Sequence, residues 1–142
     1  MRILFFLLVP FLANAQMTGQ SLHPDGSIES IGPVEHGLQA GKWQWYYADG
    51  TLKSEGYYEK GAKHGHWKEY DSDGSLLSDG YYEKDLKHGY WKVYYSYSIL
   101  KAEGYYEKGE KALNWKYYSE KGDLVKIEIW EKGVLLSTKK ID

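Results

Sequence analysis

Cysteine is absent from this 142-residue chain, which excludes disulfide staples, a lipid anchored through a thiol, and thiolate metal sites. Arginine occurs once, at Arg2. Residues 1–15, MRILFFLLVPFLANA, carry that one charge, then an apolar run from Ile3 to Leu12, then a small-x-small ending at Ala13-Asn14-Ala15. This is the pattern of a secretory signal, with cleavage expected between Ala15 and Gln16. The run is too short for an ordinary membrane span, and no stop-transfer pattern follows it. Long hydrophobic runs are otherwise lacking. Cleavage leaves 17 lysines against 20 carboxylates, a formal charge of −3. A weakly acidic chain without guanidinium has no device for gripping a phosphate backbone, so nucleic acid is not an expected partner. The same balance gives membrane docking little support, because neither a basic patch nor an amphipathic helix is present.

Helical periodicity is missing as well. Glycine recurs too often, and no stretch of a dozen residues carries apolar positions at three-to-four spacing. What is present is a period of 24. Trp43, Trp67, Trp91 and Trp115 are each 24 apart, as are Tyr46, Tyr70, Tyr94 and Tyr118, and as are Leu52, Leu76, Leu100 and Leu124. The segment Gly56-Tyr57-Tyr58-Glu59-Lys60 recurs unchanged from Gly80 to Lys84 and from Gly104 to Lys108, and Ile127–Lys132 keeps the register with the glycine lost. Asp25-Gly26 lies one period before Asp49-Gly50 and marks a degenerate first unit. The organisation read from this is a signal at 1–15, a short segment at 16–23, an array of about four to five units over 24–138, and a tail at 139–142.

One unit reads strand, tight turn, strand, longer turn. Asp49-Gly50 and Asp73-Gly74 predict two-residue hairpin turns, and Lys60 to Gly65 predicts the wider reversal into the next hairpin. Strand alternation places Trp67 and Glu69 on one face and Lys68 and Tyr70 on the other. Both faces then carry aromatics and charges, which excludes a sandwich and points to an all-β, elongated single-layer antiparallel meander of hairpin repeats. In the third turn Tyr97-Ser98 stands in place of Asp-Gly and predicts another turn type or a bulge. Ala112-Leu113-Asn114 replaces His-Gly-x, and Val134-Leu135-Leu136 makes the last unit more aliphatic, in keeping with a cap or a self-association edge.

The run GYYEKGAKHGHWKEYDSDGSL from Gly56 to Leu76 resembles the MORN repeat (membrane occupation and recognition nexus). It is most similar to the bacterial variant found in proteins catalogued as YwqK-family antitoxins. The resemblance covers roughly residues 24–136. It implies hairpins stacked into an elongated twisted sheet that serves as an interaction scaffold and sometimes pairs through a terminal edge.

Chemistry is sparse. His64, His66 and His88 could offer imidazoles to a metal, but His64 and His88 sit in the repeat's own Lys-His-Gly turn and no carboxylate or cysteine completes a familiar ligand set, so no metal or cofactor is expected. The pairs Glu55 with Glu59 and Asp79 with Glu83 recur with the units, whereas a catalytic pair needs one singular environment. No catalytic residue is assigned, and enzymatic activity is not expected. The aromatic ladders are the strongest candidate surface: Trp43, Trp45, Tyr46, Trp67, Tyr70, Trp91, Tyr94, Trp115 and Tyr118 could stack on sugar rings or simply pack. The expected function is an exported, periplasmic or secreted, non-enzymatic scaffold for an unknown protein or cell-envelope component. The alternative is a glycan or peptidoglycan binder, and a homodimer through a terminal sheet edge stays open.

Overall fold

The structure, a computed structural model, describes residues 17–141. The leader and the Ala15–Gln16 junction lie outside the described residues. The strands are β1 (Met17–Leu22), β2 (Ile28–Glu35), β3 (Leu38–Gln39), β4 (Gly41–Tyr46), β5 (Leu52–Glu59) and β6 (Ala62–Tyr70). They continue as β7 (Leu76–Glu83), β8 (Leu86–Tyr94), β9 (Leu100–Glu107), β10 (Glu110–Tyr118), β11 (Leu124–Glu131) and β12 (Val134–Lys140). All 12 join one antiparallel sheet in chain order, with β3 a short extension of β4 that also pairs with β2. The meander is a single layer, as the two-faced alternation required. It begins earlier than the repeat pattern alone indicated, because β1 already pairs with β2 from Met17 onward.

The two kinds of turn exchange the roles assigned to them. At Asp49-Gly50 only the glycine has positive φ, the Gly50 N–H donates to the Tyr47 carbonyl, and the Tyr47 N–H donates to the Thr51 carbonyl. That is a three-residue loop with a bulge glycine, and it recurs at His23–Ser27, Asp71–Ser75 and Ser119–Asp123. The two-residue turn is instead Lys60-Gly61, with φ of 51° and 83°. His36-Gly37, Lys84-Asp85, Lys108-Gly109 and Lys132-Gly133 repeat it with both residues left-handed. Side chains cap these loops: Asp49 Oδ1 accepts from the Thr51 N–H, Asp25 Oδ1 from the Ser27 N–H, and Asp71 Oδ1 from the Ser75 N–H. The divergent third turn contains a short 3₁₀ segment at Ser96–Ser98, with Tyr97 and Ser98 left-handed.

The wide reversal expected after Lys60 is a bulge within β6. Gly56 faces Trp67 and Tyr58 faces Lys63, so His64, Gly65 and His66 stand opposite Tyr57 alone. The same excess of two residues occurs in β8 and β10. Tyr57 has no ladder partner across β5–β6, and its carbonyl accepts the Trp67 indole N–H at 3.0 Å. Trp43, Trp91 and Trp115 donate in the same way to Pro33, Tyr81 and Tyr105. Beside each bulge a buried tryptophan thus anchors its indole N–H on a backbone carbonyl of the neighbouring strand.

The core sits on one face. Trp43, Trp67, Trp91 and Trp115 are at most 2% exposed, although no second layer covers them. Their burial comes from neighbours on the same face. Tyr58, Tyr82 and Tyr106 stand edge-on between successive indoles, with centroids 5.0–5.9 Å apart from Tyr58–Trp67 through Tyr106–Trp115. Beneath each indole lies a glycine: Gly32, Gly56, Gly80 or Gly104.

Candidate interaction surface

The nine aromatic candidates divide by burial. Trp43, Trp67, Trp91 and Trp115 are interior, so no sugar ring can stack on them; the flat glycine backbone below and the tyrosines on either side occupy both sides of each indole. Trp45, Tyr46, Tyr70, Tyr94 and Tyr118 are half-buried. Three of the four tyrosines of this group turn their hydroxyls back into the sheet: Tyr70 donates to Glu55, Tyr118 to Glu103 at 2.7 Å, and Tyr46 to Gln44. Burial, then the Glu103 bond, pushes the Tyr118 phenol up to about 12. These groups serve the scaffold and leave Trp45 as the tryptophan of the set with an accessible ring.

Three lysines missing from the sequence reading complete the ladder. Lys63 lies over Trp67 and Tyr82 at 4.1 and 4.9 Å, Lys87 over Trp91 and Tyr106 at 4.3 and 5.2 Å, and Lys111 over Trp115 and Trp130 at 4.5 and 4.8 Å. The three half-buried lysines roof the aromatic column with their ammonium groups over the rings. Burial holds the Lys63 and Lys111 ammonium groups below the ordinary lysine range. The 24-residue spacing of Lys63, Lys87 and Lys111, and of Tyr58, Tyr82, Tyr106 and Trp130, was the available signal for both columns.

At the C-terminal end Glu128 takes the place held by Gly56, Gly80 and Gly104. It is buried and accepts from Tyr117 at 2.6 Å, Lys126 at 2.7 Å and Trp130 at 3.1 Å. Lys139 faces Ile127 where a further tryptophan would stand, so no indole needs a bare backbone at 128, and the carboxylate closes the ladder with a polar network. Beyond it β12 is exposed along its whole length, with Val134, Leu135 and Leu136 at 61, 45 and 57%.

The opposite face carries a charged row. Cross-strand neighbours run Glu55, Lys68, Asp79, Lys92, Glu103 and Lys116, one per strand from β5 to β10. Glu55 also binds Lys42 at 2.8 Å, and that bond dominates in holding its carboxyl below the usual range. The paired carboxylates of the sequence therefore go to separate partners: Glu59 faces His64 and Asp79 faces His66, while Glu83 faces His88. His64 and His66, two residues apart, are drawn to different carboxylates across the Gly65 bulge. Among the described residues no group of three or more His, Asp or Glu could hold a metal ion.

Residues 39–60 and 63–84 each match the MORN repeat variant. Each matched stretch spans one hairpin closed by an Asp-Gly loop, from the strand that bears the tryptophan to the lysine of the next two-residue turn. No curated protein matches the chain.

Proposed function

We propose that this chain is an exported, non-enzymatic repeat scaffold whose C-terminal sheet edge takes up an extended segment of another protein. The observation that carries the reading is β12, the last strand of the sheet among the described residues, with Val134, Leu135 and Leu136 all exposed and one backbone edge without a neighbouring strand among those residues. Such an edge offers unpaired N–H and C=O groups to an incoming strand, and its apolar side chains give that strand something to bury. Edges that must stay solitary are usually blunted by charge or proline, yet here Lys139 and Lys140 guard only the far end of β12. Two MORN-variant units and a ladder whose carboxylates and histidines recur with the units support a scaffold over a catalyst. The leader at 1–15 supports export, and the weak acidity of the remainder supports a partner other than nucleic acid.

The test is site-specific photo-crosslinking in exporting cells, with the probe at Leu136 and, as control, at Lys92 in mid-sheet. A discrete adduct at 136 that disappears with Leu135→Lys, on a chain whose N-terminus is Gln16, is the expected result. An adduct with the mass of a second copy would replace the partner segment by a homodimer. Equal adducts at both positions, or an uncleaved leader, would overturn the proposal.

A further inference from the structure

We infer that the open groove over the accessible ring of Trp45, bounded by Tyr58 and the edge of Trp67 and flanked by Lys53 and Lys63, is a binding site for a carboxylate-bearing sugar ring. The first ground is that this place breaks the repeat. One, two and three periods beyond Trp45 stand Glu69, Val93 and Tyr117, so the unit at 39–60 carries an indole where the next three carry none. The ladder does not need it: Trp43 is already flanked edge-on by Tyr58. Trp45 lies beside the ladder, its centroid 5.8 Å from Trp43, 5.6 Å from Tyr58 and 5.2 Å from Trp67, tilted by 33–46° to all three. The result is a widened aromatic floor under an open groove of about 320 Å³ lined by Trp45, Lys53, Ser54, Tyr58, Lys63 and Trp67. That is the lower end of small-ligand sites and suits one pyranose ring rather than a long aliphatic chain.

The second ground is charge. Both charged side chains lining the groove are lysines, and neither Lys53 nor Lys63 forms an ion pair among the described residues. Lys53 lies over Tyr47 at 5.5 Å and Lys63 over Trp67 at 4.1 Å, so each is placed by a ring and keeps its charge for a third group. Glu69 and Asp85 attract Lys63 from a distance, but Glu69 accepts from the Ser78 hydroxyl at 2.9 Å and Asp85 from the Lys63 backbone N–H at 2.8 Å. A ring with a C–H face to lie on the indole, hydroxyls for Ser54, and a carboxylate between the two ammonium groups satisfies every element of the groove. A neutral sugar leaves the lysines unused, and an aromatic peptide leaves them unpaired as well. This site lies on the ladder face of β4–β6 and is independent of β12.

Titration calorimetry of residues 16–142 with trigalacturonate, galacturonate and the neutral galactotriose tests it. Trigalacturonate is expected to bind at least about tenfold more tightly than galactotriose, and Lys53→Gln to weaken it by about tenfold. Trp45→Ala should abolish binding, and because that ring also packs, its melting temperature is recorded beside it; Lys53 is exposed, so its variant keeps the fold. Binding of galacturonate as tight as that of the trimer would assign the site to free sugar acids, and tighter binding of the trimer would assign it to a polysaccharide. Equal affinity for the neutral trimer, no binding of either trimer, or full affinity in Lys53→Gln and Trp45→Ala would overturn the proposal. Leu136→Lys leaves this binding unchanged, which separates its failure from that of the edge reading.

Discussion

The indole of Trp67 lies flat against the backbone of Gly56, so close that a Cβ built on Gly56 would stand 2.2 Å from the indole Cδ2. Gly80 under Trp91 and Gly104 under Trp115 repeat the contact at 2.2 and 2.3 Å. The glycine of each Gly-Tyr-Tyr-Glu-Lys segment is therefore the seat of the next unit's tryptophan, and the two residues are one device spread over two repeats.

Gly56→Ala is expected to destabilise the protein by on the order of 3 kcal/mol, the upper range for overpacking, since the ring held by Tyr58, Tyr82 and Lys63 has nowhere to move. Gly50→Ala, whose Cβ would meet nothing within 4 Å, is expected to lose only about 1 kcal/mol from its left-handed backbone. Urea unfolding of both variants decides this, and equal midpoints would refute the seat.

Leu113 occupies the bulge position held by Gly41, Gly65 and Gly89 in the other units, with φ of 58° and its side chain 62% exposed. Its side chain contributes little burial and its backbone is strained. Leu113→Gly is expected to raise stability by about 0.5–1 kcal/mol, the relief of a left-handed leucine less the extra freedom of glycine in the unfolded chain. Thermal unfolding reads the difference.

Below neutral pH the C-terminal cap should fail first. Burial alone would raise the Glu128 carboxyl, but the bonds from Lys126, Tyr117 and Trp130 outweigh it and hold the group below the ordinary glutamate value of 4.5. A depressed carboxylate contributes stability that is present above the unfolded value and lost as pH falls through the folded one. Midpoints of unfolding should therefore drop as pH falls below 4.5, and Glu128→Gln should be less stable near neutrality and flatter in this range. Denaturation curves at a series of pH values measure both.

At the alkaline end the ladder tyrosines dominate. Burial pushes the Tyr58 and Tyr82 phenols up to about 12 from 10.0. A raised phenol favours the folded state fully below the unfolded value, and that contribution is lost as pH climbs from 10 through 12. Absorbance titration should resolve a late tyrosinate class that ionises together with loss of the folded signal, and Tyr82→Phe should shift that loss to higher pH.

The 24-residue period of Trp, Tyr, Leu and Gly by itself determined a single-layer antiparallel array, because side chains that alternate between two aromatic, charged faces leave no apolar side for a second layer. It also located the divergent turn at Tyr97-Ser98 and the missing glycine before Ile129. What periodicity does not encode is which way a repeated side chain lies. The Asp49-Gly50 and Asp73-Gly74 loops have three residues, with aspartate side chains accepting backbone N–H groups within them, and the two-residue turns fall after the Tyr-Tyr-Glu segments, at Lys60-Gly61, Lys84-Asp85 and Lys108-Gly109. Tertiary structure alone decided that Trp43, Trp67, Trp91 and Trp115 are interior while Trp45 is not. Each bulge, a local insertion visible only in the pairing of two strands, rotates one indole onto the glycine of the strand beside it, and burial follows from that contact.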